Sequence, residues 1–365
     1  MKTKNDLVPA IATYPGEIIM DELKAIGMSQ LELAGLIGME QTQLNEIIRG
    51  KRALNADLAI LLEKVLGIDA SYWLETQKNY ELDLARIDKK NQAKIQVIEE
   101  WNIWKKEVPV PYFKKHKHLK GIPAEDISTV KQIYNVKHVE EMAQLYASPM
   151  LAHYKKSNSD KVDKINIIGW SQLIAYLGAK QKISAFQPKS KNEVINKLRE
   201  IILKNKHVVE RSTKLLASVG IKLVIHKNPE KCPVDGVCMW SGANPLIGLS
   251  LRYTRLDHFA FTLFHELAHV YLHLVGNPNA AFMDDLDAFA KNKDTKEIEA
   301  NHFASNALIP EKAWEVFLTH EQRLQDHFAI EFANSIGIHP AIVKGRLKHE
   351  FKSYAIRTRI ENELN

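Results

Sequence analysis

Apolar positions give this chain three textures. Between 15 and 85 they recur every three or four residues, the period of amphipathic helices, and Gly27, Gly38, Gly50 and Gly67 fall where such helices should stop. Residues 89–160 are lysine-rich and less regular, broken by Pro109, Pro111, Pro123 and Pro149. Residues 190–218 carry the period of one long helix. At Gly220 the pattern changes to alternation: 221–226 reads as a strand, followed by a Pro- and Gly-containing loop. Strands at 237–241 and 246–251 are expected around a turn from Gly242 to Pro245. Helical spacing resumes near Thr254 and continues to the end. The pattern predicts a mainly α chain with a small sheet, divided into an all-α domain over 10–88, a helical, basic connecting region over 89–190, and an α+β domain over 191–350.

Composition narrows the class. The 365 residues are 45% hydrophobic and 26% charged, as in soluble globular proteins, and suggest two or three domains. No apolar run reaches the length of about 18 residues that a membrane helix needs, and the first residues lack the apolar core of a signal peptide. Cys232 and Cys238 are too few for a disulfide framework; two free thiols in a reducing, cytoplasmic setting are expected, with no membrane partner. Net charge is +6, unevenly spread: residues 1–88 hold 9 Lys and Arg against 14 Asp and Glu, so the basic excess lies beyond them.

The chemistry concentrates at His265-Glu266-Leu267-Ala268-His269. Histidines four apart on a helix share a face and can bind one zinc ion. Glu266, beside the first of them, can take a proton from an attacking water and return it to a leaving amine. Apolar residues surround the trio, so it should sit on a largely buried helix. A scheme with Gly and His at spaced positions beyond the second histidine fails, because Leu272 and Val275 stand there. The other common third ligand is a Glu from a following helix. Glu297 and Asn301 are four apart there, so Glu297 can ligate while Asn301 supports a ligand imidazole. Glu299 is the second choice, and His273 reads as helix surface or packing.

The runs Ser250–Asp257, Phe261–His269, Glu297–Asn301 and Phe303–Pro310 resemble the ImmA/IrrE family of metallopeptidases. The resemblance spans roughly 190–350. It implies a zincin-like fold, zinc held by His265, His269 and Glu297, Glu266 as the catalytic residue, and cleavage of a regulatory protein.

Residues 29–50 have the spacing of a DNA-binding helix-turn-helix. Ala34 is small where two helices cross, Gly38 permits the positive φ of the turn, and Leu44 and Ile47 would bury the second helix. Gln41, Thr42, Gln43 and Asn45 on that helix suit base edges or phosphates; Gln30, Arg49, Lys51 and Arg52 are phosphate candidates. The acidic balance of this domain disfavours phosphate binding, and a helical dimerisation module without DNA affinity is the other reading. Tyr14–Glu17, Asn45–Lys51, Asn55–Asp57 and Trp73–Gln77 resemble the HigA-type antitoxins of the XRE-like regulators. This implies a homodimer formed through the N-terminal domain, operator DNA as partner, and a cognate toxin. Together the two resemblances imply a DNA-binding regulator or antitoxin with a zinc endopeptidase domain; the alternative is a non-proteolytic antitoxin or repressor whose zinc fold is a sensor or scaffold.

Overall fold

The computed structural model describes residues 9–147, 162–284, 294–352 and 356–365. The expected break at Pro149 lies outside them. The chain forms two compact units, Met1–Asn102 and Ile103–Asn365.

In the first unit α1 (Pro15–Ile26), α2 (Gln30–Leu36), α3 (Gln41–Ile48), α4 (Ala56–Leu66), α5 (Ala70–Ile87) and α6 (Lys89–Trp104) follow one another. Local sequence sets their ends. Ser29 accepts from the Glu32 amide while Glu32 reaches back to the Ser29 amide, a capping box that starts α2. Gly38 turns the chain at φ +65°, a left-handed conformation that disfavours a side chain. Ile19, Leu33, Ala34, Leu44, Ile47, Leu58, Leu62 and Trp73 form the core. At Gly16 a Cβ would lie 2.2 Å from the Ile48 carbonyl oxygen, so only glycine lets α1 meet the end of α3.

The second unit is built on a four-stranded sheet in the order β1-β3-β2-β4. Strand β1 (Lys222–Ile225) runs parallel to β3 (Asn244–Leu249); β2 (Gly236–Ser241) lies antiparallel to β3 and to the edge strand β4 (Ala281–Asp284). The turn between β2 and β3 is tighter than the sequence suggested: Ser241 pairs with Asn244, leaving Gly242 and Ala243 as a two-residue connection with Gly242 at φ +66°. Pro245 falls within β3, just before its pairing with β1 begins at Leu246.

Much of the expected connecting region belongs to this unit. Its helices are α7 (Val110–Lys115), α8 (Pro123–Tyr134), α9 (Met142–Ala147) and α10 (Lys164–Ala179). Helix α10 covers one face of the sheet so closely that a Cβ at Gly248 would sit 2.4 Å from Ile174, and one at Gly178 would sit 2.6 Å from Leu246. Trp170 donates to the His226 carbonyl at 2.8 Å, and the Tyr112 hydroxyl meets His226 Nδ1 at 2.7 Å. The single long helix expected over 190–218 is two helices, α11 (Lys191–Lys204) and α12 (Val208–Ser218). Asn205, at φ +40°, ends the first in the left-handed region that asparagine tolerates, and its amide donates to the Glu363 carbonyl.

On the other face of the sheet, Leu223, Cys238 and Ile247 pack into the main core with α13 (Leu256–Ala268). Helices α14 (Thr295–Leu308), α15 (Glu311–Leu318), α16 (Asp326–Ile336) and α17 (Pro340–Glu350) complete the unit. Helical structure is therefore not continuous beyond Thr254: β4 interrupts it. Helix α13 starts after Arg255, whose side chain pairs with Asp257, and Thr254 does not cap it.

Candidate metal centre and recognition helix

Helix α13 is buried along most of its length by Phe259, Leu263, Phe264 and Leu267. An apolar helix of this kind can carry His265, Glu266 and His269 into the interior only if their polar atoms find partners there. At His269 the helix widens into a π-helical turn, His269–Leu274.

Four side chains converge. Ligand atoms of His265, His269, Asp284 and Glu297 lie within 4.8 Å of one another, and all four residues are buried. His265 Nε2 is 3.2 Å from Asp284 Oδ2 and 3.3 Å from Glu297 Oε2. His269 Nε2 is 3.4 Å from Asp284 Oδ2 and 3.6 Å from Glu297 Oε1. The two Nε2 atoms are 3.0 Å apart. Asp284, at the end of β4, was not among the residues expected from sequence. Its only sequence signal is a carboxylate a short distance beyond the second histidine.

The far sides of both imidazoles are also engaged. His265 Nδ1 lies 3.0 Å from Asn301 Oδ1, while Asn301 Nδ2 donates to the Glu297 carbonyl. Because an amide oxygen only accepts, His265 Nδ1 carries the hydrogen. His269 Nδ1 meets His273 Nδ1 at 2.9 Å, and His273 Nε2 meets Glu299 Oε2 at 3.0 Å. The ordering that satisfies this chain has His269 Nδ1 donating to His273, and His273 Nε2 donating to Glu299. Neutral His265 and His269 then face one another with bare Nε2 lone pairs, an arrangement that a cation between them stabilises. The donor set, two imidazole nitrogens and two carboxylates, suits zinc. His273 is thus neither surface nor simple packing, and Glu299 points to it, away from the four-residue cluster. Phe282 stacks on His269 with ring centroids 4.2 Å apart.

Glu266 is fully buried, and neither of its oxygens accepts a hydrogen bond from a protein donor. Gly236 makes room for it: a Cβ there would stand 1.9 Å from Glu266 Oε1. Burial, then the negative charges of Asp284 and Glu297, push the Glu266 carboxyl well above the usual carboxylate range. Burial would depress the His265 imidazolium, but Asp284 and Glu297 outweigh it and hold it up at about 9. Burial would likewise raise Asp284, yet His265 and His269 bring it well below its ordinary value.

A cavity of about 480 Å³ opens against Asn301, with Tyr253, Phe261, Leu308, Ile342 and Arg346 among its walls. That volume is in the range of small-ligand pockets, about 300–1,000 Å³. Cys232 and Cys238 are free and buried, and burial pushes the Cys232 thiol up to about 12.

In the first unit α3 exposes Gln41, Thr42 and Gln43 on its first turn and half-exposes Asn45, while Leu44, Ile47 and Ile48 anchor it. Arg49, Lys51 and Arg52 are exposed just beyond its end. Gln30 differs: it is half-buried, with its amide 2.9 Å from Met20 sulfur.

Comparisons with known proteins match two segments. Residues 218–348 match the family model described as IrrE N-terminal-like domain, and residues 19–73 match a helix-turn-helix family. Virulence-associated protein I of Dichelobacter nodosus is 40% identical over 89 residues, covering 24% of this chain and 80% of that protein. An uncharacterized HTH-type transcriptional regulator of Escherichia coli, YddM, is 31% identical over 68 residues, covering 19% of this chain and 72% of its own. Among solved structures, an addiction module antidote protein of the HigA family from Coxiella burnetii is 32% identical, covering 23% of this chain and 91% of that one, with a TM-score of 0.22. Pseudomonas aeruginosa antitoxin HigA, solved with the higBA promoter, has 31% identity, the same coverages and the same TM-score.

Proposed function

We propose, from the premise that this chain belongs through its N-terminal part to the XRE-type helix-turn-helix family and carries an IrrE-like metallopeptidase-family domain, that it is a DNA-binding regulator or antitoxin whose second unit is a zinc endopeptidase acting on a regulatory protein. The observation that carries the enzymatic half is the buried convergence of His265, His269 and Glu297 beside Glu266. Zinc, when bound, supplies Lewis acidity to a scissile carbonyl and to water. His265, His269 and Glu297 would hold it, and Asn301 fixes the ring of His265. Glu266 takes a proton from the attacking water at a carboxylate oxygen and passes it to the departing amine nitrogen. Its raised pKa suits a group that must both accept and release a proton near neutrality. The cavity against Asn301 would receive a substrate side chain.

The DNA-binding half rests on the exposed first turn of α3. Gln41, Thr42, Gln43 and Asn45 would enter the major groove, with Arg49, Lys51 and Arg52 on phosphates. Ile60, Leu61, Tyr72 and Leu74 are exposed on α4 and α5 and would serve a homodimer, the form in which helix-turn-helix proteins bind paired half-sites. No helix among the described residues is long and apolar enough to cross a membrane, and action in the cytoplasm on operator DNA fits the two free cysteines.

A second reading, an antitoxin or repressor whose zinc fold is a non-proteolytic sensor or partner-binding scaffold, is favoured by the extra carboxylate of Asp284 at the cluster. Glu266→Gln separates the two. Peptidase function requires that this variant bind zinc, lose cleavage of the partner protein and lose the regulatory response. Unchanged biological activity would rule the enzyme out in favour of the scaffold.

A further inference from the structure

We propose that Asp284 is a fourth protein ligand that closes the metal centre, holding it latent until strand β4 releases the carboxylate. The inference rests on the zinc reading above and concerns what the centre does with its last coordination position.

Zinc bonds of about 2.0–2.2 Å to nitrogen and oxygen imply tetrahedral edges of about 3.3–3.6 Å between ligand atoms. The imidazole–carboxylate distances are 3.2, 3.3, 3.4 and 3.6 Å, and the imidazole–imidazole distance is 3.0 Å. Five of the six edges of one tetrahedron are therefore present, and Asp284 supplies two of them. Catalytic zinc sites keep three protein ligands and an open position for water; sites with four protein ligands are closed. As built, this centre is of the closed kind.

The placement of Asp284 is fixed by the sheet. It pairs with Gly236 at the end of β2, and its carbonyl accepts from the Asp235 amide at 2.8 Å. Gly236 is the residue that clears space for Glu266. The closing carboxylate and the general base thus lie on either side of one backbone position, and Asp284 stands where a water between Glu266 and the metal would have to stand. Strand β4 is an edge strand with β2 as its only neighbour in the sheet, so its release breaks one ladder and leaves β1, β2 and β3 paired.

The test uses the full chain loaded with Co²⁺, whose visible absorption reports coordination, and sodium azide as an external ligand. Wild type is expected to bind one equivalent with the intense spectrum of a four-coordinate site that azide does not change. Asp284→Ala should bind Co²⁺ and Zn²⁺ at least about tenfold more weakly, and its spectrum should shift on adding azide. Asp284→Asn, nearly isosteric, is measured in parallel; it should also gain the azide response, and it decides the matter if the alanine variant misfolds by circular dichroism. Full metal binding by wild type together with an azide response equal to that of the variants would overturn the closed centre and leave the zinc reading intact. Absence of metal from wild type and variants alike would overturn both.

Discussion

A methyl group at Gly236 would press on Glu266 at 1.9 Å, so Gly236→Ala should displace that carboxylate while leaving the four-residue cluster in place. The expected result is unchanged zinc content with cleavage reduced by about 100-fold, the size of loss that a displacement of about 1 Å can cause. Normal cleavage by a metal-loaded variant would show that Glu266 needs no fixed position. The pair His273 and Glu299 acts differently, through His269. Glu299 is half exposed, so Glu299→Ala should fold normally, yet zinc affinity measured by competition with a chelator should fall by about 10–100-fold. Affinity equal to wild type would reduce the pair to a packing contact. Which residues were legible in sequence follows from how local their geometry is. His265, Glu266 and His269 lie within one helical turn, and Glu297 with Asn301 lies within another, so spacing alone brought them forward. Asp284 and Gly236 meet only because β4 pairs with β2, and His273 engages His269 only across a π-helical turn that α-helical spacing does not encode.

At the scale of elements, α3 exposes polar residues on its first turn and basic residues past its end, and these should separate in a binding assay. Arg49→Ala should weaken binding to the protein's own promoter on all sequences alike and reduce the steepness of the salt dependence by about one unit. Gln43→Ala should lose about 1–3 kcal/mol of discrimination at one base while keeping the salt slope. Identical effects of the two substitutions would mean that α3 does not enter the groove. The turn before α3 was readable because Gly38 and the Ser29–Glu32 box are short-range signals. The break at 205–207 was not, because α11 and α12 keep a compatible apolar period, and what stops α11 is a left-handed Asn205 held by the distant Glu363 carbonyl.

For the whole molecule, the two compact units carry separate cores, and the residues expected to form a connecting region contribute Trp170, Leu173 and Ile174 to the second. Sequence reading set that region apart because its apolar residues are interrupted by lysines and prolines. Their burial depends on a sheet assembled from strands much later in the chain. Calorimetry should resolve two transitions. Ligand binding stabilises only the unit that holds the site, by an amount that grows with the ratio of ligand concentration to Kd. Chelation of zinc should therefore lower the Tm of the second unit and leave that of the first unchanged; a single transition that moves as one would contradict independent units.

The π-helical turn at the end of α13 sets the register of everything after His269. A turn that closes over five residues holds one residue more than an α-helical turn, and each residue advances a helix by about 100°. Loss of a single residue there, such as the exposed Leu272, would restore ordinary winding and swing the following residues about a quarter-turn. His265, Glu266 and His269 would keep their places, while His273 would leave the line that joins His269 to Glu299. The support of the second histidine is thus sensitive to the number of residues in this turn as much as to their identity, and a one-residue insertion or deletion would disturb it where a substitution of Leu272 would not.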